Sequence, residues 1–486
     1  MTTESTVRYN KELSLFEALI PLFILIALLA INVLVYGDDA LSGSNQFVLL
    51  IGAAVAAVIG FMNKVSYEDM IAEVAENFKS TTGAILILLM VGALAGTWLL
   101  SGIIPAMICY GLKILHPSIF LPATVVICSV ISIATGSSWT TSATVGIALI
   151  GIGKALGIPL GMTAGAVISG AYFGDKMSPL SDTTNLASAM AKADLFTHIR
   201  YMALTTVPSI TITIILFTIL GLTRDTSGVA DTTTMVTAIS ETFRISPLLF
   251  VVPAIVIAMI IKKTKPLIAL FAGTILGGVF AIIFQSDIVT QVAGMEAFNL
   301  TAAYKGVMNA MTVDIAIETK EASLNDLFSA GGMAGMLGTI WLIMCAMVFG
   351  GVMDAIGALS RISSALLSMA NSVFGLFAAT VTSALSLNAT ASDQYLSIVV
   401  TGKMFDKAYE ERGLAPENLS RTIEDAGTVT SVLIPWNTCG AYQSGVLGVS
   451  VLEYFAYAFF NLISPFMTLL FAAFGIKIKQ LVKKLD

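Results

Sequence analysis

The stretch Gly170-Ala-Tyr-Phe-Gly-Asp-Lys-Met-Ser-Pro-Leu-Ser-Asp-Thr-Thr-Asn185 places three charged side chains, a proline and several hydroxyls between long apolar runs. Ionisable groups at membrane depth are costly and persist mainly where they pair, line a cavity or bind an ion. Gly174 and Pro179 are expected to break the helix here, which would free backbone carbonyls to coordinate a cation. The stretch therefore predicts a transport site inside a membrane protein.

The composition of the whole chain supports a membrane protein. Of its 486 residues, 56% are hydrophobic and only 12% are charged, whereas soluble proteins carry about 25% charged residues. Apolar runs such as 15–36, 47–61, 85–100 and 204–222 approach or exceed the roughly 20 residues that cross a bilayer. We predict an all-α polytopic membrane protein with roughly 10–13 spans, some of them broken or re-entrant. The basic residues are few and scattered, which argues against a nucleic-acid partner.

The chain is predicted to consist of two repeats, residues 1–222 and 246–486, joined by an external linker at 223–245. When the sequence is shifted by 253 positions, Thr135 faces Asn388, Gly174 faces Gly427 and Asp182 faces Pro435. Polar breaks then fall at matching places, 135–141 with 388–394 and 174–185 with 424–438. Paired broken helices of this kind mark the binding site in many secondary transporters.

Lysine and arginine predict opposite orientations for the two repeats. The first loop contains Asp38 and Asp39 without a basic residue and is placed outside, whereas Lys64 and Lys79 lie in the next connection. The basic stretch 262–265 and the loop 403–412 are placed inside, as is the C-terminal tail with its four lysines. Both termini are therefore predicted to be cytoplasmic. The amphipathic segments 67–81 and 318–329 fit either interfacial helices or plain connectors.

The breaks offer only oxygen ligands, from carboxylates, hydroxyls, amides and main-chain carbonyls. Such sites suit Na⁺ rather than zinc or copper, and no resident cofactor is predicted. A carboxylate removed from water also holds a proton more readily, so Na⁺ and H⁺ would compete for the same oxygens. The predicted cation- or proton-binding residues are Asp182, Asp175, Thr183, Thr184, Asn185, Thr135, Ser137, Ser138, Asp393, Asn388, Asp425, Asn437 and Thr438, with Na⁺ itself at Asp182 and Thr135.

Several of these residues also have a plain structural interpretation. Asp175 could instead pair with Lys176 or cap a helix, and Asp182 could cap a helix while binding an ion. Thr135, Ser137 and Ser138 could pack between helices. Arg421 and Glu424 are three residues apart, and we predict a structural ion pair between them.

Three motifs carry a resemblance to a known family. They are Thr-Gly-Ser-Ser-Trp at 135–139, the stretch 170–186, and Leu-Ser-Arg-Thr-Ile-Glu-Asp-Ala-Gly-Thr-Val-Thr-Ser at 419–431, which continues to 442. In these motifs the chain resembles the NhaC family of bacterial sodium/proton antiporters. The resemblance implies a multi-pass carrier in the bacterial inner membrane that exchanges Na⁺ for H⁺ and assembles as a homodimer.

Other functions are less well supported by the residues. One branch that resembles this family exchanges organic acids such as malate and lactate, and an organic-acid or amino-acid antiporter stays the alternative. Only Lys176 and Arg421 would offer such a substrate a cation near the site. A channel would show a continuous pore rather than broken, inverted halves. An enzyme is not predicted, because no nucleophile and base, metal cluster or phosphate loop is visible.

Overall fold

A computed structural model describes residues 13–36, 43–223, 232–319, 325 and 328–481, and this part of the chain is mostly helical. In these residues, eight helices are long and apolar enough to cross a membrane. A bent pair, Thr233–Thr242 with Pro247–Ile261, turns by 84° and would raise the number to nine. The number is lower than predicted because several apolar segments break into helices too short to qualify alone. The chain is a multi-pass membrane protein.

Ten helices lie in the described residues of the first half, and several of them are short. Their bounds are α1 Leu15–Tyr36, α2 Ser44–Met62, α3 Tyr67–Leu100, α4 Ile103–Ile114, α5 Pro117–Thr135, α6 Ser138–Thr141, α7 Ile147–Ala155, α8 Leu160–Met177, α9 Asp182–Met190 and α10 Leu195–Thr223. A π-helical turn, Ser142–Gly146, joins α6 to α7.

The second half repeats the alternation of long and broken helices. Its helices are α11 Thr232–Thr242, α12 Val251–Ile261, α13 Pro266–Phe284, α14 Ser286–Ala293, α15 Leu300–Thr312, α16 Gly332–Gly335, α17 Leu337–Ala355, α18 Ala358–Ser368, α19 Val373–Thr390, α20 Gln394–Glu411, α21 Pro416–Ile423, α22 Thr438–Leu447, α23 Val451–Phe455 and α24 Phe459–Ala473. Between them lie the 3₁₀ turns Pro247–Phe250 and Ser431–Leu433 and the π-helical turn Glu424–Thr428. Two short antiparallel strands, β1 Ile315–Ala316 and β2 Ser329–Ala330, pair with each other.

The segment 67–81 is not a separate interfacial helix. It forms the first part of α3, whose 34 residues would extend about 51 Å, well beyond the roughly 30 Å apolar core of a bilayer. Ser66 caps its N-terminus by accepting a hydrogen bond from the backbone N–H of Asp69. Much of the segment 318–329 lies outside the described residues, and Ser329 belongs to β2.

Several other predictions concern residues outside the described part of the chain. These are Asp38 and Asp39 of the first loop, and Lys483 and Lys484 of the tail. The predicted linker 223–245 is described only in part, and its second portion contains α11.

Small residues let α5 and α8 pack closely along their length. A Cβ atom added at Gly170 would lie 2.3 Å from the carbonyl oxygen of Val125, and one at Gly174 would lie 2.5 Å from the Cβ atom of Ser132. The sequence predicted a helix break at Gly174, and this is wrong. Gly174 lies inside α8 and permits its close contact with α5. The helix ends instead at Met177, immediately before the Ser-Pro pair, because proline disfavours helical geometry in the residue that precedes it.

Candidate functional site

The first two helix breaks meet in space. Residues 136–137 separate α5 from α6, and residues 178–181 separate α8 from α9. Gly136 has a φ of 70°, a left-handed conformation that glycine adopts without strain. A Cβ atom at this position would lie 2.6 Å from the Cβ atom of Leu180. Glycine at position 136 therefore permits both the left-handed turn and the close contact between the two breaks.

A cavity of about 550 Å³ lies beside these breaks. Its polar lining comes from Thr135, Ser137, Asp175, Asp182 and Thr183 of the first half, and from Gln394 and Tyr395 at the start of α20. The rim includes Lys263, Thr264 and Lys265, in the connection between α12 and α13. Carboxylates, hydroxyls and an amide thus face one compartment. Gln394 and Tyr395 were not singled out from the sequence, although Gln394 ends the predicted break at 388–394.

The two aspartates of the cavity differ in their surroundings. Asp175 is 7% exposed, and its Oδ2 accepts hydrogen bonds from the backbone N–H and the Oγ of Ser138, at 3.1 and 2.7 Å. It thereby caps the N-terminus of α6 across the break. Asp182 is the first residue of α9 and is exposed to the cavity, while Ser181 caps that helix. Asp182 is therefore the more open carboxylate.

Lys176 does not pair with its neighbour Asp175. Its side chain is fully buried and forms a salt bridge with Asp425 from the second half. Asp425 also accepts hydrogen bonds from Thr205, at 2.8 Å, and from Thr468. Helix geometry explains the difference, because consecutive side chains on α8 point in different directions. Asp425 was predicted as a cation ligand, but in this conformation its carboxylate is paired with the ammonium group of Lys176.

The predicted ion pair between Arg421 and Glu424 is absent. The Arg421 side chain is buried, and none of its nitrogens has a hydrogen-bond partner in the part of the chain that the structure describes. Its guanidinium lies 4.6 Å from the centre of the Tyr201 ring. Phe377 and Phe471 lie farther away, each at 5.9 Å. Glu424 instead accepts a hydrogen bond from Thr183, at 3.1 Å. Although the two residues lie within one turn of helix, each side chain has a different partner: aromatic rings for Arg421 and a hydroxyl for Glu424.

At the second pair of breaks, before α20 and before α22, a carboxylate and an amide side chain cap the helices. Asp393 caps α20 by accepting from the backbone N–H groups of Tyr395 and Leu396, and its other oxygen lies 3.3 Å from Thr438 Oγ1. Asn437 caps α22 and donates to the carbonyl of Asn388. These residues lie together, but none of them lines the cavity beside Asp182.

The remaining predicted residues lie within or beside the first pair of breaks. Thr135 Oγ1 lies 3.4 Å from Thr141 Oγ1, and Ser137 caps α6. Thr184 does not line the cavity. Asn185 donates hydrogen bonds to the carbonyls of Pro179 and Ser181, at 3.0 and 2.7 Å. Asn185 therefore stabilises the turn between α8 and α9.

An aromatic pair links the two halves beside the cavity. The rings of Trp139 and Tyr442 stack with centres 4.0 Å apart, and Tyr442 donates a hydrogen bond to the carbonyl of Trp139. Trp139 also contributes to the cavity lining. The sequence analysis did not predict this pair, because its two residues lie 303 positions apart.

Within the described residues, no group of His, Cys, Asp and Glu side chains has the arrangement of a transition-metal site. All four cysteines are buried and free. The ligand chemistry of the cavity is therefore that of oxygen donors. A multi-pass helical protein with broken helices around a polar, carboxylate-lined cavity has the architecture of a membrane carrier.

Comparison with known proteins places the chain more narrowly. A model of the Na⁺/H⁺ antiporter family matches residues 170–476, and the chain belongs to this family. It is 38% identical to the Na⁺/H⁺ antiporter NhaC of Alkalihalophilus pseudofirmus over 428 residues, 88% of this chain and 90% of that protein. It is also 36% identical to the malate-2H⁺/Na⁺-lactate antiporter of Bacillus subtilis, across 96% and 94% of the two chains. The arginine/ornithine antiporter ArcD of Halobacterium salinarum is 35% identical, across 96% and 93%.

Proposed function

We propose that this protein exchanges Na⁺ for H⁺ across the bacterial inner membrane by alternating access. The observation that carries the proposal is the meeting of Asp175 and Asp182 in one cavity at the crossing of two broken helices. Family membership and the similarity to NhaC of A. pseudofirmus support the same ions.

Asp182 is the proposed primary ligand for Na⁺. Its carboxylate is open to the cavity, and Thr135 lies on the same wall. Na⁺ binds to a protein site only when oxygen ligands of that site replace the water molecules of its hydration shell. A carboxylate with nearby hydroxyls and carbonyls can supply such ligands. When the ion departs, protons bind the same oxygens. Competition at one site that opens alternately to each side couples the two fluxes.

The overall arrangement proposed for the chain is a pair of inverted repeats, residues 1–222 and 246–486, with both termini in the cytoplasm. The order of broken helices supports it: α5, α6, α8 and α9 in the first half correspond to α19, α20, α21 and α22 in the second. The rim of the cavity contains Lys263 and Lys265, in the loop predicted to be cytoplasmic. The conformation is then the one open to the cytoplasm, and the proposed assembly is a homodimer.

The test uses purified protein in sealed liposomes that contain a pH-sensitive dye. An inward Na⁺ gradient without any organic solute should drive prompt proton efflux, and an equal K⁺ gradient should not. Folded and inserted protein that moves no protons under the Na⁺ gradient would reject the proposal.

An organic-acid or amino-acid antiporter is the second candidate. The cavity is much larger than a single Na⁺ needs, and Lys263 and Lys265 provide cationic groups at its rim. Two relatives named above are antiporters of organic acids or amino acids. This candidate predicts that proton movement in the same liposomes requires malate, lactate or arginine on one side.

A further inference from the structure

Glu424 is a buried carboxylate that the site around Asp182 leaves unexplained. It is fully buried and begins the π-helical turn Glu424–Thr428. Its Oε1 lies 3.1 Å from Thr183 Oγ1 and 3.4 Å from Thr184 Oγ1. Its Oε2 has no hydrogen-bond partner among the described residues. A buried carboxylate oxygen without a partner is costly, so this atom is available to a ligand.

Glu424 forms no salt bridge with a cationic side chain among the described residues, although Lys176 lies nearby. The nearby ammonium group of Lys176 forms a salt bridge with Asp425. Arg421 directs its guanidinium towards aromatic rings and makes no hydrogen bond in the described structure. Of the other helices that pack against the π-helical turn, α19 and α24 contain no charged residue and α9 contains only Asp182. The charged residues of α20, which also packs there, lie in its second half, from Lys403 onward. A buried carboxylate without a salt bridge is stabilised by a proton or by a bound cation.

The oxygen atoms around Glu424 outnumber the hydroxyl hydrogens that could form hydrogen bonds between them. Thr184 Oγ1 lies 3.1 Å from the carbonyl oxygen of Lys176, 3.5 Å from that of Asp175 and 3.4 Å from Glu424 Oε1. A hydroxyl donates only one hydrogen, so it can satisfy only one of these three acceptors. The two carbonyls belong to the last turn of α8, where a helix runs out of intrahelical donors for its final carbonyls; that of Asp175 accepts from the N–H of Ser178, at 3.1 Å. The site is therefore a cluster of oxygens to which no cationic side chain of the described residues is directly bonded.

We propose that Glu424, the hydroxyls of Thr183 and Thr184, and the backbone carbonyl of Lys176 form a second, occluded Na⁺ site between the two halves. All of its ligands are oxygens, which suits a hard cation. π-Helical turns are frequent at functional sites, and this one projects Glu424 towards α9. The inference rests on the proposed function and extends it from one Na⁺ site to two.

Thr183 connects the proposed site to the cavity. It lines the cavity wall and also donates to Glu424. An ion at Asp182 is thus separated from Glu424 by a single side chain of α9. Movement of the 178–181 break would open a path between the two sites, and ions would reach Glu424 only through the cavity.

Binding of ²²Na⁺ to the purified, full-length protein at one fixed alkaline pH tests the inference. The native protein should bind two Na⁺ per chain, and Glu424→Gln and Asp182→Asn should each bind one. Thr184→Val, which removes a single ligand without changing the shape much, should weaken one of the two sites severalfold. The matched control is Thr163→Val, because Thr163 is also a buried threonine but lies near the opposite end of α8. Its hydroxyl has no hydrogen-bond partner among the described residues. This variant should bind as the native protein does.

Native stoichiometry and affinity in both Glu424→Gln and Thr184→Val would overturn the inference. If Glu424→Gln fails to fold, Thr184→Val decides the question alone. The liposome assay separates this result from the proposed function: native protein that exchanges Na⁺ for H⁺ but binds a single Na⁺ would retain the function and lose the second site.

Discussion

At the scale of single residues, neighbours in the chain have quite different partners. Asp175 caps α6 through Ser138, whereas the adjacent Lys176 pairs with Asp425 across the two halves. The lysine and its partner are both fully buried. Such a pair costs desolvation to form, but removal of one partner leaves an uncompensated charge. The pair therefore holds α8 to the π-helical turn.

We expect Lys176→Met to destabilise the protein by about 3–5 kcal/mol, because Asp425 would remain buried without a cation. The double variant Lys176→Met with Asp425→Leu should recover most of the lost stability. Thermal unfolding in detergent measures the stability of both variants. Lys192→Met is the control, since Lys192 pairs with Asp406 at the surface with its own side chain 74% exposed and should change stability little. Equal effects at Lys176 and Lys192 would contradict this account.

The sequence identified the charged residues of the site but not their pairing. Asp175, Asp182 and Asp425 stand out because charge is rare in this chain. Their partners depend on contacts between residues more than 200 positions apart, such as Thr183 with Glu424. The Arg421–Glu424 pair was predicted from ordinary helix spacing and is wrong, because Arg421 packs against aromatic rings and Glu424 accepts from Thr183.

At the scale of helices, interruptions were easier to predict than regular segments. Glycine, proline and runs of hydroxyls located all four breaks to within several residues. The π-helical turns and the single long helix α3 were not predicted. Both depend on tertiary packing, which no local pattern in the sequence records.

The contact of α5 with α8 gives a prediction at this scale. Gly174→Ala places a Cβ atom 2.5 Å from Ser132 Cβ and 2.6 Å from the carbonyl oxygen of Ser129. Overpacking of this kind typically costs about 1–3 kcal/mol. Gly338→Ala in α17 is the control, because nothing lies within 4 Å of its added Cβ atom. The control should gain up to about 1 kcal/mol from helix propensity. Thermal unfolding that ranks the two variants in the reverse order would reject the close packing of α5 and α8.

At the scale of the whole molecule, the cavity joins the two halves. Residues of α8 and α9 face the start of α20 across it, and the Trp139–Tyr442 stack connects α6 with α22. The composition alone predicted a multi-pass helical protein, and this is confirmed. The inverted orientation of the halves stays a prediction from the distribution of lysine and arginine.

Accessibility of the cavity tests this arrangement. Ser137→Cys and Thr264→Cys should both react with a membrane-impermeant thiol reagent applied from the cytoplasmic side of sealed vesicles, because both positions line the cavity. The native protein should not react, since its four cysteines are buried. Na⁺ should protect position 137, beside the site, more than position 264 at the rim. Labelling of the two positions from opposite sides would contradict a single cavity open to the cytoplasm.

The central claim is that the carboxylate of Asp182 couples Na⁺ to H⁺. The most direct measurement compares native protein and Asp182→Asn in sealed liposomes, with equal amounts inserted and an imposed Na⁺ gradient. The account predicts Na⁺-driven proton flux in the native protein and a loss of at least about 100-fold in the variant, since a neutral amide can neither carry the proton nor hold Na⁺ with a full charge. Full exchange by Asp182→Asn would contradict the account and remove Asp182 from the site.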